Sequence, residues 1–282
     1  MGICAVAPDP EAICASLEQL SGLLPSERGR VAFIGESAEL ANDLNIGQHN
    51  PPVVIDYLHY HRSFKTSYEL DCMRQATVLA VSGHNAAREA FYNGESEFDI
   101  NQQYLSALHQ GDNQLPYSNI IALNESAAIL HYTALQNEPR NTDELKSFLI
   151  DAGAEFNGYA ADITRTYSYR NDEFSELISA LNGEQINICE QIRAGMPYLD
   201  LHIDMHFRIA VLLQEFGFID MPLDQAVEST VTSAFYPHGL GHFLGLQVHD
   251  VAGFLQDEQG TYLAAPEKYA HLRCTRMIEQ GQ

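Results

Sequence analysis

Two aspartates and three histidines have the types and spacing to do chemistry in this chain. Asp151 and Asp162 flank an Asn157-Gly158 pair that separates two apolar runs, Phe148 to Ile150 and Tyr159 to Ile163. Asn-Gly between such runs predicts a hairpin, because a two-residue type I′ turn needs φ > 0 at both centres. A turn centred there pairs Phe156 with Tyr159, Gly153 with Asp162 and Asp151 with Thr164. Directly opposed residues share a face, as do residues two apart on a strand, so Asp151 and Asp162 lie diagonally on one face. Two carboxylates set into an apolar ribbon repel each other, and a hard divalent cation with oxygen ligands removes that cost. The competing reading is a wet hairpin face, which Arg165 in the continuing Thr164-Arg165-Thr166 favours.

The histidines lie in Thr230 to Asp250, TVTSAFYPHGLGHFLGLQVHD, where His238, His242 and His249 stand among Gly239, Gly241 and Gly245. Glycines let a backbone approach a ligand closely. The alternative is an exposed Gly-rich turn with incidental histidines. His131, in Ile129-Leu130-His131-Tyr132-Thr133, is either a neutral core histidine or part of the same cluster. His202-x-x-x-His206 has the i, i+4 spacing of a metal pair. Ile203 stands where a zinc metallopeptidase carries its general-base Glu, so these two read as a polar flank of an amphipathic helix.

The elements that must position these residues follow from pattern. Thr66-Ser67-Tyr68-Glu69 is a capping box, and the helix after it carries an apolar stripe through His84, a core histidine, to a stop at Asn93-Gly94. A second helix starts at Ser96 to Asp99. Asn119 to Leu123 and Ala127 to Thr133 read as short strands, 172 to 192 and 198 to 216 as helices, and Leu272 to Arg276 as the start of a strand. Ahead of them lie a weakly helical Glu11 to Leu24, a strand in Arg30 to Gly35, a helix over Ala38 to Leu44 and a linker at Asn50-Pro51-Pro52. The expected division is 1–55, a small domain remnant with linker, and 56–282, the catalytic domain.

The chain has 38 acidic and 15 basic residues among 282, a formal charge of −23. That field repels nucleic acid and anionic membranes, so neither is expected as a partner. Cys4, Cys14, Cys72, Cys189 and Cys274 are dispersed, which argues for a reducing compartment rather than a disulfide framework. No run reaches the ~18 apolar residues of a membrane helix. No signal peptide is legible, and Val6 stands where a myristoylation signal after Gly2 needs Ser or Thr. A cytoplasmic location is expected.

Five stretches, VIDYLHYHRSFKTSYEL, LPYSNIIALNESAAILHYT, SFLIDAGAEFNGYAADITRTY, PHGLGHFLGLQVHDVAGF and LRCTR, span about Val54 to Arg276. Together and in order they resemble the X-Pro dipeptidases (prolidases) of the pita-bread metallopeptidase family, nearest to the bacterial proline dipeptidases and the related organophosphorus acid anhydrolases. The resemblance implies an α/β (α+β) pita-bread fold of the creatinase/aminopeptidase kind and hydrolysis of dipeptides ending in proline. It implies Asp151, Asp162 and His242 as metal ligands, with Asp162 bridging two ions. It implies His131, His238 and His249 as catalytic histidines facing substrate, and Tyr117 and Tyr198 as substrate-binding residues. Manganese, two ions per subunit in the intact family, is the implied cofactor, and a homodimer the implied assembly. Two family glutamates, in a T-I-E-P-G and a later R-I-E-D motif, lie beyond LRCTR, and Glu279 lacks the Pro-Gly context. The chain therefore reads as truncated at both ends, its fold incomplete at the C-terminal end, binding at most one ion weakly and impaired in turnover. An organophosphate-ester hydrolase at the same metals, or a non-catalytic fragment that binds a partner, are the rival readings.

Overall fold

A computed structural model describes residues 17 to 282; the expected helical stretch before Leu17, like Cys4 and Cys14, lies outside the described residues. The chain forms two units, 1–60 with 257–260, and 61–256 with 261–282. In the first, helix α1 (Leu17–Leu23), strand β1 (Ala32–Phe33), helix α2 (Ala38–Asp43), strand β2 (Gln48–His49) and helix α3 (Pro52–His61) follow in order. Strands β1 and β2 pair in parallel, and Leu20, Leu44 and Ile46 form the core of this unit. The expected linker is shorter than its Pro-Pro suggests. Pro52 opens α3, where a missing N–H breaks no helical hydrogen bond.

The second unit begins with helix α4 (Ser67–Tyr92). Its capping box is present in full: Glu69 N–H donates to Thr66 Oγ1 at 3.3 Å, and Thr66 N–H to Glu69 Oε2 at 2.8 Å. Gly94, at φ +79°, follows its C-terminus. Helix α5 (Glu97–Leu108) starts with Ser96 Oγ accepting from Asp99 N–H at 3.1 Å. Small residues on α4, among them Ala76, Ala80 and Ala87, are fully buried, and a Cβ on Gly83 would come within 2.6 Å of the Tyr104 ring. Small side chains are thus what allow α4 and α5 to pack closely.

The helices cover one face of a three-stranded antiparallel sheet ordered β3 (Ile120–Leu123), β4 (Ser147–Ala152) and β7 (Ile163–Ser168). Between β4 and β7 a second ribbon, β5 (Glu155–Phe156) with β6 (Tyr159–Ala160), makes the predicted turn. Asn157 and Gly158 sit at φ +51° and +84°, the type I′ signature. Phe156 pairs with Tyr159 and Asp151 with Thr164, the register read from sequence. Along β4, Phe148, Ile150 and Ala152 are buried in the helix-facing core, so the alternate residues, including Asp151, point to the other face. Gly153 lies where the ribbon crosses over: a Cβ there would stand 2.1 Å from the Ala161 carbonyl oxygen. His84 is a core histidine as expected, its Nε2 3.0 Å from the Ala152 carbonyl.

Helices α6 (Glu173–Gln191) and α7 (Tyr198–Glu215) share a core of Ile188, Leu201, Met205, Ile209 and Leu213. Helices α8 (Leu223–Glu228) and α9 (Val231–Phe235) pack beyond it, with Ala226 and Val227 against Ala210.

Three expectations fail. Ala127 to Thr133 is no strand: Asn124 turns the chain at φ +51° into a short 3-10 helix, Asn124–Ala128. The Asn124 side chain holds that turn, accepting from Lys146 and Ser147 N–H and donating to the Glu144 carbonyl, so the chain leaves the sheet. The stretch beyond hangs from the buried Glu97 carboxylate, which accepts from Leu123 N–H, Tyr132 Oη and Gln136 N–H. Leu272 to Arg276 is extended but enters no ladder among the described residues; Thr275 N–H donates to Gly253 O and Tyr198 N–H to Arg276 O. Finally, His202 and His206 are no polar flank. They are 2% and 1% exposed, turned inward against Tyr236 and Tyr269.

The Gly153 contact gives a direct test. Gly153→Ala must displace backbone rather than a flexible side chain, so it is expected to cost about 2–3 kcal/mol, the upper range for overpacking. A urea midpoint within error of the parent chain would contradict this.

Candidate metal centre

Asp151 reaches its site from the open face of β4, and Asp162 from the residue just before β7. The Tyr117 hydroxyl lies between them, 2.9 Å from Asp151 Oδ1 and 2.8 Å from Asp162 Oδ1. A phenol has one hydrogen, so it can donate to only one carboxylate at a time. Two unit charges about 5 Å apart in a partly buried site repel by roughly 3 kcal/mol, more than one neutral hydrogen bond returns.

The imbalance appears in the acidities. Burial, then the Asp162 charge, raises the Asp151 pKa above the ordinary carboxylate value, against the hydrogen bond from Tyr117. Burial would also raise Asp162, but hydrogen bonds from His242 and Tyr117 and the nearby charge of His242 take it below that value. Burial, followed by the two carboxylates, raises the Tyr117 phenol, so it stays protonated as a donor.

His242 lies on the far side of Asp162, its Nε2 3.1 Å from Asp162 Oδ2. Its Nδ1 donates to the Phe243 carbonyl at 3.0 Å, which fixes the ring with Nε2 toward the carboxylate. The loop carrying it is tied to the hairpin: Ala160 N–H donates to the Gly245 carbonyl at 2.9 Å. Two glycines make its path. A Cβ on Gly239 would meet Leu272 Cα at 2.7 Å, and Gly241 turns at φ +55°.

His249 packs edge-on to His242, ring centroids 4.6 Å apart, and burial followed by the His242 charge lowers its pKa. His131 is exposed, at φ +59°, and meets His238 edge-on with centroids 5.7 Å apart. Tyr198, expected to line a substrate pocket, donates its hydroxyl to the Leu240 carbonyl and so anchors the His238–His242 loop.

Sequence reasoning missed the clamp that closes this loop. Asp250, buried, holds Arg62 Nε and Nη2 at 3.2 Å through Oδ2 and accepts from Ala252 N–H through Oδ1. Its own N–H donates to Phe243 O at 3.0 Å, so one residue pins both ends of the segment bearing His242 and His249. The adjacency His249-Asp250 was its only signal, and nothing in sequence pointed to Arg62, 188 residues away.

Carboxylate oxygens with one imidazole form a donor set suited to an oxygen-seeking divalent ion. The carboxylates that share one phenolic hydrogen carry charge that such an ion would neutralise. Among the described residues no three His, Cys, Asp or Glu side chains close around one point; Asp162 and His242 hold each other directly.

The Asp162–His242 pair has a defined pH dependence. Burial alone would lower the imidazole, but the Asp162 and Phe243 hydrogen bonds and the Asp162 charge take it above 6.5. The pair's contribution is fully present below 6.5 and is lost as pH rises through the raised folded value. Proton NMR of the metal-free chain is expected to titrate His242 above 6.5, and Asp162→Asn to bring it below 6.5 because burial remains. An unmoved midpoint in Asp162→Asn would rule out this electrostatic assignment.

The model of metallopeptidase family M24 matches residues 71–275, and that of the Xaa-Pro dipeptidase N-terminal domain residues 11–60. An Xaa-Pro dipeptidase of Shewanella amazonensis is 56% identical over 262 residues, 93% of this chain and 59% of that protein. One from Escherichia coli O157:H7 is 54% identical over 266 residues, 93% of this chain and 60% of that protein. The chain thus spans about three fifths of the length of the curated relatives it matches. Among solved structures, zinc-substituted E. coli aminopeptidase P in complex with product superposes with a TM-score of 0.69 at 26% identity, covering 91% of this chain and 66% of that one. Proline aminopeptidase P II from Yersinia pestis gives 0.65 at 24%, with the same coverage.

Proposed function

Because the chain belongs to metallopeptidase family M24 and has its pita-bread fold, we propose that it carries the apparatus of a metal-dependent X-Pro dipeptidase. The observation that carries this reading is the convergence of Asp151, Tyr117, Asp162 and His242, three of them from one hairpin neighbourhood and the fourth from a loop tied to it. Asp151, Asp162 and His242 would hold the metal, manganese in this proposal, which lowers the pKa of a bound water toward neutrality.

The protein's own groups do the rest. Tyr117 orients both carboxylates and lines the pocket for the dipeptide's first residue. His131, His238 and His249 face the substrate, steadying the carbonyl oxygen and moving protons; burial lowers the His238 and His249 pKa values, which favours their neutral rings for that task. A proline amide has no N–H, so recognition depends on shape rather than on a donor.

With two carboxylates and one imidazole as its donor set, the chain holds one ion weakly, and its turnover is correspondingly impaired. The working unit is a homodimer. A reducing cytoplasm is its place: Cys72, Cys189 and Cys274 are free thiols, and among the described residues no helix is long and apolar enough to cross a membrane. The negative field keeps nucleic acid and anionic membrane away.

Calorimetry with Mn2+ is expected to show one weak site that Asp162→Asn removes. Ala-Pro is expected to be hydrolysed faster than a phosphotriester, with loss of at least 100-fold in Asp162→Asn. Manganese binding unchanged by that substitution, or preferential phosphotriester hydrolysis, would overturn the proposal.

A further inference from the structure

A second cluster of histidines lies apart from the carboxylate pair, in a cavity of about 250 Å3 between α7 and the 236–239 and 268–272 segments. His202, His206, His238, His271, Lys268 and Tyr236 line it, and no Asp or Glu does. That is unexpected in a chain whose acidic residues outnumber its basic ones 38 to 15. Two polar atoms of its lining residues are buried without any hydrogen-bond partner: His202 Nδ1 and the Tyr236 hydroxyl. His202 is 2% exposed, so water outside the cavity does not reach that ring. A buried polar atom left unpaired costs about 1–3 kcal/mol, and here two share one cavity.

The lining selects the sign of the occupant. The His202 and His206 rings lie 4.7 Å apart at i, i+4, a spacing that could serve a transition metal. Against a cation stands the Lys268 ammonium on the same wall, donating to the Val227 carbonyl at 3.0 Å with two hydrogens to spare. His206 Nδ1 is already engaged with Thr232 Oγ1 at 2.9 Å. What remains is a set of donors: the ammonium, the phenol and a ring N–H.

We propose that this cavity binds a small oxyanion, held by Lys268, the Tyr236 hydroxyl and His202 Nδ1. Burial keeps His202 near pKa 4 and also lowers His206, so beside the lysine the His202 imidazole contributes a neutral N–H. The oxygens satisfy both orphaned atoms, and the positive lining offsets the repulsion an anion meets elsewhere on this protein. The three holding groups, Lys268, Tyr236 and His202, take no part in the proposed peptidase reaction and need no metal; His238 is the wall residue the two sites share.

Titration calorimetry with sulfate and with acetate, each at fixed ionic strength in chloride, tests it. Saturable one-to-one binding of either is expected, stronger sulfate binding marking an inorganic oxyanion and stronger acetate binding a carboxylate. Lys268→Met, at an exposed position, and Tyr236→Phe, which removes one oxygen, should each weaken binding at least fivefold. Asp162→Asn, at the other site, should leave it unchanged. Histidine Cε1–H resonances of His202 should shift on titration in the parent chain. No saturable binding of either anion, or affinity untouched by both Lys268→Met and Tyr236→Phe, would overturn the proposal.

Discussion

One phenolic hydrogen between two carboxylates is the constraint on which the site turns. Asp151 and Asp162 are brought together by hairpin register, a matter of backbone hydrogen bonds that takes no account of charge. Tyr117 satisfies one of them at a time, and His242 takes up part of the charge of the other. The divergence of the two acidities follows: the carboxylate with the imidazole beside it ionises more readily, the one without less. The sheet therefore holds charge that the fold alone does not balance, and a divalent cation is the chemistry that completes it.

The surrounding architecture keeps that arrangement from relaxing apart. Gly153 lets the ribbon cross tightly enough to place Asp162 near Asp151, and the Tyr104 hydroxyl bonds the Gly153 carbonyl from the core side. On the other flank, the histidine loop is stitched to the hairpin through Gly245, to helix α7 through Tyr198, and closed on itself by Asp250. A loop with glycines at 239, 241 and 245 would otherwise have many conformations, and the entropy of ordering it is met by these contacts. His242 owes its place to them as much as to Asp162.

Much of this was legible in local chemistry. Asn157-Gly158 fixes a turn type, the turn type fixes a register, and the register puts Asp151 and Asp162 on one face; each step is local. Thr66 and Glu69 marked a helix start for the same reason. The misreadings share another cause. Ala127 to Thr133 has strand-like composition, but the side chain of Asn124 captured distant backbone groups and redirected the chain. Leu272 to Arg276 is extended without a ladder because its hydrogen bonds go to Gly253 and Tyr198. His202 and His206 looked like a polar edge because helical periodicity ranks imidazole as polar, whereas tilted and edge-on contacts with the rings of Tyr236 and Tyr269 bury them. Arg62 and Asp250 lie beyond any window a pattern can span.

The three bonds accepted by Glu97 join α5, the end of β3 and the run after His131 through one buried carboxylate. Amide exchange at Leu123, the last residue of β3, and at Gln136, in an irregular run, then requires the Glu97 carboxylate at the first turn of α5 to let go, so their protection is inherited from a helix end. The exposed His131 thus stands one residue before a chain segment moored to a carboxylate in the core.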